Sequence, residues 1–191
     1  MNSNEILETF RRTGALLSGH FLLTSGLHSD QYFQCAKVLQ HPEVAESLCS
    51  QLGKNFHRHN PELVVAPAIG GIVVAQEVAR SLHTRAIFAE RVDGRMTLRR
   101  GFQIKPGERT LVVEDVITTG GSVREVLELT IAAGAKPVGV GCIVDRSGGD
   151  VDFGFDMRAL LKLKVDVMQP DNCRLCYQKL PLVKPGSREI K

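Results

Sequence analysis

The chain has 191 residues, 43% of them hydrophobic and 24% charged, which excludes disorder, collagen and coiled coil. A chain of this size buries roughly 70% of its unfolded surface, so one domain, or one with a small appended hood, needs no disulfide scaffold. A net charge of only +3 gives nucleic-acid binding no support.

The N-terminus lacks the basic start and apolar centre of a signal peptide. Ser3 or Asn4 can cap a helix to about Arg12, with Ile6, Leu7 and Phe10 on one face and Gly14 ending it. A short apolar run at 20–23 and a polar turn at 24–30 follow, then a candidate strand at 32–38. Pro42 opens a second helix to about His59, broken by Asn60-Pro61. From here strands at 63–66, 86–89, 110–113, 138–144 and 159–167 alternate with helices at 72–82 and 122–133. That order implies βαβ units and a mainly parallel sheet with both faces covered. Residues 91–109 read as a long polar connection, the kind that often serves as a lid. The tail, 170–191, reads as irregular. One domain with three parts is expected: helices and hood (1–60), a parallel α/β core (61–168) and the tail (169–191). No apolar run approaches the ~20 residues of a membrane helix, and five loosely spaced cysteines suit reduced thiols. A cytosolic protein is expected.

The most informative stretch is Leu111-Val112-Val113-Glu114-Asp115-Val116-Ile117-Thr118-Thr119-Gly120-Gly121-Ser122. A buried strand ends in two carboxylates, and a Thr- and Gly-rich turn then starts a helix. In an open parallel sheet, ligands sit at the carboxyl ends of strands. Backbone N–H groups at a helix N-terminus favour an anion such as phosphate. Glu114 and Asp115 would repel that phosphate, so their end should meet hydroxyls or a cation. Ribose 5-phosphate satisfies both demands. A Gly-rich turn that merely starts a helix beside two capping acids is the bland alternative, and the whole string argues against it. No Gly-x-x-x-x-Gly-Lys-Ser/Thr is present, and Gly139-Val140-Gly141 lies inside a strand without the third glycine of a dinucleotide fingerprint.

The stretch from Val112 to Ser122 resembles the 5-phosphoribosyl 1-diphosphate (PRPP) motif of type I phosphoribosyltransferases. The resemblance extends to the orotate phosphoribosyltransferases. Phe21-Leu22-Leu23-Thr24-Ser25-Gly26-Leu27-His28-Ser29-Asp30-Gln31-Tyr32-Phe33 is similar to their substrate hood. Ala66-Pro67-Ala68-Ile69-Gly70-Gly71-Ile72 is similar to their pyrophosphate loop, and Val144-Asp145-Arg146 to the segment whose arginine faces orotate. The resemblance implies the type I phosphoribosyltransferase fold, an α/β fold with a mainly parallel twisted sheet, flanking helices and a small N-terminal hood. It also implies Mg2+-dependent joining of orotate to PRPP, giving orotidine 5′-monophosphate and pyrophosphate, in pyrimidine biosynthesis.

By the same resemblance, Glu114 and Asp115 bind the ribose diol, directly or through Mg2+ at Asp115. Val116, Ile117, Thr118, Thr119, Gly120, Gly121 and Ser122 complete the PRPP site, with Thr118 also touching orotate. Arg146 pairs with a carboxylate or carbonyl of orotate. Ala68, Ile69, Gly70 and Gly71 offer N–H groups to pyrophosphate. The family's mobile loop carries an Arg-Lys pair, a further Lys and a His. Arg91 survives here as a candidate catalytic cation, the lysines and histidine do not, and Arg95, Arg99 and Arg100 can supply the charge or form a solvated hairpin face. Gly70 replaces the usual loop lysine, and His28 stands where many members have an orotate-proximal lysine. The shared loop of the family implies a homodimer, with small-molecule substrates and neither nucleic acid nor membrane as partner.

A purine phosphoribosyltransferase keeps the PRPP site but leaves Arg146 without a carboxylate to meet. A PRPP-sensing regulator would need a basic face or a DNA-binding module. Cys173-Arg174-Leu175-Cys176 reads as two tail thiols. A zinc site needs four ligands, Cys35, Cys49 and Cys142 lie on other elements, and no His follows at finger spacing. A labile disulfide or a metal shared across a dimer stays open. His57-Arg58-His59 reads as the solvated end of a helix.

Overall fold

A computed structural model describes residues 1–23, 25–163 and 166–185. Thr24, within the hood motif, residues 164–165 of the last expected strand, and 186–191 of the tail lie outside the described residues. Helix α1 (Ser3–Arg12) begins one step earlier than expected. Asn2 caps it in a capping box with Glu5, satisfying two otherwise orphan donors. Strands β1 (Leu16–Leu22) and β2 (His28–Phe33) form an antiparallel hairpin. The strand expected at 32–38 stops at Phe33, and residues Ala36–Leu39 form the one-turn helix α2. Cys35, Val38 and Leu39 are buried there at helical spacing, a pattern that a short apolar run shares with a strand.

Helix α3 (Pro42–Lys54) ends before the expected His59, and His57–His59 is a separate 3-10 turn closed by left-handed Asn60. Then come β3 (Leu63–Pro67), α4 (Gly71–Leu82), β4 (Arg85–Val92), β5 (Arg95–Leu98), β6 (Arg109–Ile117), α5 (Gly121–Ala132), β7 (Lys136–Asp145) and β8 (Met157–Lys162). The expected long polar connection thus contains a strand. Asp93 and Gly94 both have positive φ, the two-residue turn that joins antiparallel strands, and β5 pairs with β4 through Val92 and Arg95.

The main sheet has the order β5-β4-β3-β6-β7-β8, parallel except for β5. This is the mainly parallel α/β sheet expected. Along β3, Val64 and Ala66 face one core with α3 and α4, while Leu63 and Val65 face another with α5. Alternation of buried residues on both faces is what a fully covered parallel strand requires. Phe56 lies on the sheet where a Cβ at Gly139 would come within 2.6 Å of its ring, and one at Gly141 within 3.1 Å. The two glycines of Gly139-Val140-Gly141 therefore make room for an aromatic ring. The last expected strand ends at Lys162. The chain then crosses to the hood, where β9 (Val167–Met168) pairs with β2. In the tail, a 3-10 turn at Pro170–Asn172 and helix α6 (Arg174–Tyr177) replace the irregular segment expected. No helix of the described residues is long and apolar enough to cross a membrane.

Candidate functional site

Strand order reverses at β3. The chain runs from β3 outward to β4 and β5, then returns to the other side of β3 with β6. The loops after β3 and β6 therefore flank a crevice at the carboxyl ends of adjacent strands, the place where open α/β sheets bind ligands. The residues 68–71 and 118–122 are these two loops.

Strand β6 runs further than expected. Glu114 sits opposite Cys142, and pairing with β7 continues to Ile117 opposite Asp145. The acids thus belong to the strand, and Val116 and Ile117 are strand residues. Both carboxylates turn toward the β3–α4 loop and are half-buried. A Cβ at Gly70 would come within 2.6 Å of an Asp115 oxygen, and one at Gly71 within 3.1 Å of Glu114 Oε1. The glycines let the loop lie against the acids, so a lysine at 70 has no room beside Asp115 as it stands. Burial pushes the Glu114 carboxyl well above the usual carboxylate range, and the Asp115 charge adds to this. Burial raises Asp115 as well, against its hydrogen bonds to Glu114 and the Val116 amide. Two adjacent acids held short of water are a demand for a cation or hydroxyl donors.

Beyond the acids, Thr118 and Thr119 are exposed and Ser122 is half-buried. Gly120 is the N-cap of α5, with φ 76° and no side chain capping the helix. A Cβ there would come within 2.8 Å of Phe153. The turn thus needs a left-handed residue without a side chain, and it leaves amides of the first turn of α5 facing the crevice mouth. In the other loop, the Ala68 amide is spent on the Ala89 carbonyl at 2.8 Å. Of the four amides expected for pyrophosphate, those of Ile69, Gly70 and Gly71 have no carbonyl acceptor among the described residues. The Ala68–Ile69 peptide is cis.

Arg146 follows β7 directly, its amide bonded to Ile117 O at 2.8 Å. Among the described residues its buried Nε has no hydrogen-bond partner, and burial works against its charge. An unpartnered guanidinium N–H costs free energy unless an acceptor arrives. Tyr32 of the hood sits within the electrostatic reach of both Arg146 and Asp115, and Cys35 Sγ lies 4.0 Å from Asp115 O. Sequence reasoning quoted Tyr32 within the hood motif but assigned it no part. Only the tertiary structure, which brings Tyr32 near Arg146 and Asp115, marks it.

The expected loop cations divide. Arg91 is bidentate on Glu125 of α5, at 2.6 and 3.0 Å, and also bonds Gly94 O. Arg100 is bidentate on Glu90 at 2.8 Å, with its guanidinium over the Phe88 ring. No ion pair of Arg95 or Arg99 occurs among the described residues. His28 is buried in the hood sheet, 2.9 Å from His20. Its place there argues against a direct substitute for an orotate-proximal lysine.

The chain matches the phosphoribosyl transferase domain over residues 35–164. It is 56% identical over 190 residues to an orotate phosphoribosyltransferase of Desulforamulus reducens, with 100% of each chain covered. It is 55% identical to one of Chlorobium phaeobacteroides, covering 98% of this chain and 97% of that one. Among solved structures, it resembles an orotate phosphoribosyltransferase from Aeropyrum pernix with a TM-score of 0.68 at 24% identity, over 83% of this chain and 94% of that one. It also resembles an adenine phosphoribosyltransferase from Rhodothermus marinus, with a TM-score of 0.63 at 21% identity, over 84% and 99% of the chains. At those identities the structural likeness establishes the fold and does not choose the base.

Proposed function

Because this chain belongs to the phosphoribosyltransferase family, among the orotate phosphoribosyltransferases, we propose that the crevice joins orotate to the ribose 5-phosphate of PRPP and releases pyrophosphate. The observation that carries the choice of base is the buried, unpartnered Nε of Arg146. A planar guanidinium with a free N–H suits a carboxylate-bearing base, and a purine has no carboxylate to offer it.

The bond between ribose C1 and pyrophosphate breaks as the orotate nitrogen attacks C1. Positive charge grows on the sugar and negative charge on the leaving group. Little covalent work is left to the protein, so positioning and electrostatic stabilisation dominate. The amides and hydroxyls of Thr118, Thr119, Gly120, Gly121 and Ser122 hold the 5-phosphate at the N-terminus of α5. Val116 and Ile117 keep the strand in register up to that turn. Glu114 and Asp115 accept from the ribose diol and place anionic charge beside the forming oxocarbenium centre. Ile69, Gly70 and Gly71 donate amides to pyrophosphate. Arg146 orients orotate, with Thr118 at its edge. Arg91 supplies cationic charge toward the leaving group once it exchanges Glu125 for the substrate.

The paired carboxylates, adjacent and largely withdrawn from water, fit a hard divalent cation with oxygen ligands. Asp115, assisted by Glu114, would hold Mg2+. Bound there, the ion would neutralise pyrophosphate charge. A homodimer and a place in pyrimidine biosynthesis complete the reading.

The test is a base panel. The protein is incubated with PRPP and Mg2+ and with orotate, uracil, hypoxanthine or adenine. Nucleotide formed only with orotate supports the reading; turnover of a purine and none of orotate overturns it.

A further inference from the structure

The Cys-x-x-Cys of the tail does not stand alone. Helix α6 brings it onto the hood sheet, against two histidines that precede it by about 150 residues. Four ligand atoms, one each from His20, His28, Cys173 and Cys176, lie within 4.8 Å of one another. His20 Nε2 is 2.9 Å from His28 Nδ1, 3.4 Å from Cys173 Sγ and 3.7 Å from Cys176 Sγ. His28 Nδ1 is 3.3 Å from Cys176 Sγ. A tetrahedral zinc with ordinary bond lengths separates its nitrogens by about 3.3 Å and a nitrogen from a sulfur by about 3.6 Å. The nitrogen–sulfur spacings fall around that value, and the two nitrogens need only a few tenths of an ångström.

The ligands are also oriented. The second nitrogen of His20, Nδ1, lies 2.9 Å from the Leu180 carbonyl. A carbonyl only accepts, so Nδ1 carries the proton and Nε2 presents its lone pair to the cluster. Outer hydrogen bonds of this kind fix the tautomer of metal-bound histidines. A shift in the β1–β2 register between Ser18 and Phe21 marks a bulge beside His20, a feature that re-aims side chains. His20, His28 and Cys173 are buried and Cys176 is exposed, so three ligands are shielded and one faces the entry path. Two thiolates would balance a divalent ion, which removes the cost of burying either charge alone.

We propose that His20, His28, Cys173 and Cys176 form a structural zinc site that fastens the C-terminal segment to the hood. The hood has reason to need one. Its sheet is one hairpin plus the two-residue β9, and so small a sheet is marginal alone. Among the described residues the other polar ties include an Arg174–Asp30 ion pair at 2.7 Å, the Ser29 hydroxyl donating to Asp166 O at 3.2 Å, and Val183, which accepts from the Leu22 amide and donates to His20 O. A metal contributes folding free energy to such elements directly. The proposal does not depend on the identity of the base.

The test uses the full chain, untagged and purified without chelator. Metal analysis is expected to find one zinc per chain, and none in Cys176→Ser or His28→Gln. Chelator-stripped, reduced protein titrated with Co2+ is expected to show the d–d bands of a tetrahedral site and thiolate-to-cobalt charge transfer. Adding Zn2+ to stripped protein is expected to raise Tm, and adding Mg2+ is not. If the variants do not fold, the cobalt titration of the unaltered chain still decides. Zinc-free protein with no cobalt spectrum from reduced thiols overturns the proposal. So does an intact mass showing a Cys173–Cys176 disulfide in freshly isolated protein.

Discussion

The parallel sheet and the hood are built on different principles. The sheet draws its order from segments that follow one another closely: strand, turn and helix from Leu111 to Ala132 form one continuous unit. The hood joins residues near both ends of the chain, with β1 and β2 from the first 33 residues and β9, α6 and Val183 from beyond residue 166. The sheet carries the acids and turns of the candidate site and most of the burial. The hood contributes Tyr32 near the crevice and the cluster of His20, His28, Cys173 and Cys176. Here the candidate site stands on the part whose order follows from local pattern, while the cover depends on long-range ties.

That contrast is open to attack at several positions. The largest effect is expected in the core. Phe56→Ala removes a fully buried ring packed on Gly139 and Gly141, and should cost about 3–5 kcal/mol of stability. Denaturant unfolding checks it, and the turnover of the still-folded protein should change little. Asp115→Asn comes next, with kcat falling roughly 10²–10³-fold for lost charge stabilisation while Tm stays near that of the parent. Matched losses in kcat and Tm would make Asp115 a structural residue. Gly70→Ala drives a Cβ onto the same carboxylate, and should lower kcat/KM about tenfold with the helical circular dichroism unchanged; retained activity would show that the loop and Asp115 can move apart freely.

Arg146→Ala should raise the KM for orotate by about 10–100-fold, the worth of a charge-assisted hydrogen bond, and leave the KM for PRPP nearly alone. A selective PRPP defect would move Arg146 out of the base site. The smallest effect on turnover belongs to Arg91→Ala. Its ion pair with Glu125 is about one-third exposed, so stability should fall by no more than about 1 kcal/mol, while kcat/KM for PRPP should drop several-fold. An unchanged rate would leave Arg91 as a clip between β4 and α5.

Much of the core was legible before any coordinates. Residues 63–66, 110–113 and 138–144 are continuous apolar runs, and each is a buried strand of the sheet. The acid pair could be placed because it interrupts such a run at its carboxyl end. Boundaries were less legible. The extension of β6 through Val116 and Ile117 follows from pairing with Val144 and Asp145, which no local property of residues 116–117 discloses. The hairpin at 92–95 has its local signal in Asp93-Gly94, but that 95–98 returns as a strand is decided by pairing with β4. The neighbours of the cysteine pair are hidden for a different reason. Spacing within a motif reveals partners only when they are near in sequence, and Cys173 meets His20 from 153 residues away.

By itself, the order of residues determined that this chain forms a doubly covered, mainly parallel sheet with an acid step running into a Thr- and Gly-rich turn at a helix start. Those features rest on hydrophobic periodicity and on backbone demands felt within a dozen neighbouring residues. Only the tertiary structure decided that Asp115 lies against Gly70, that Arg146 keeps a buried N–H without a partner, and that two histidines meet two cysteines under the hood. Such meetings depend on how distant segments pack in three dimensions, and local periodicity carries no record of them.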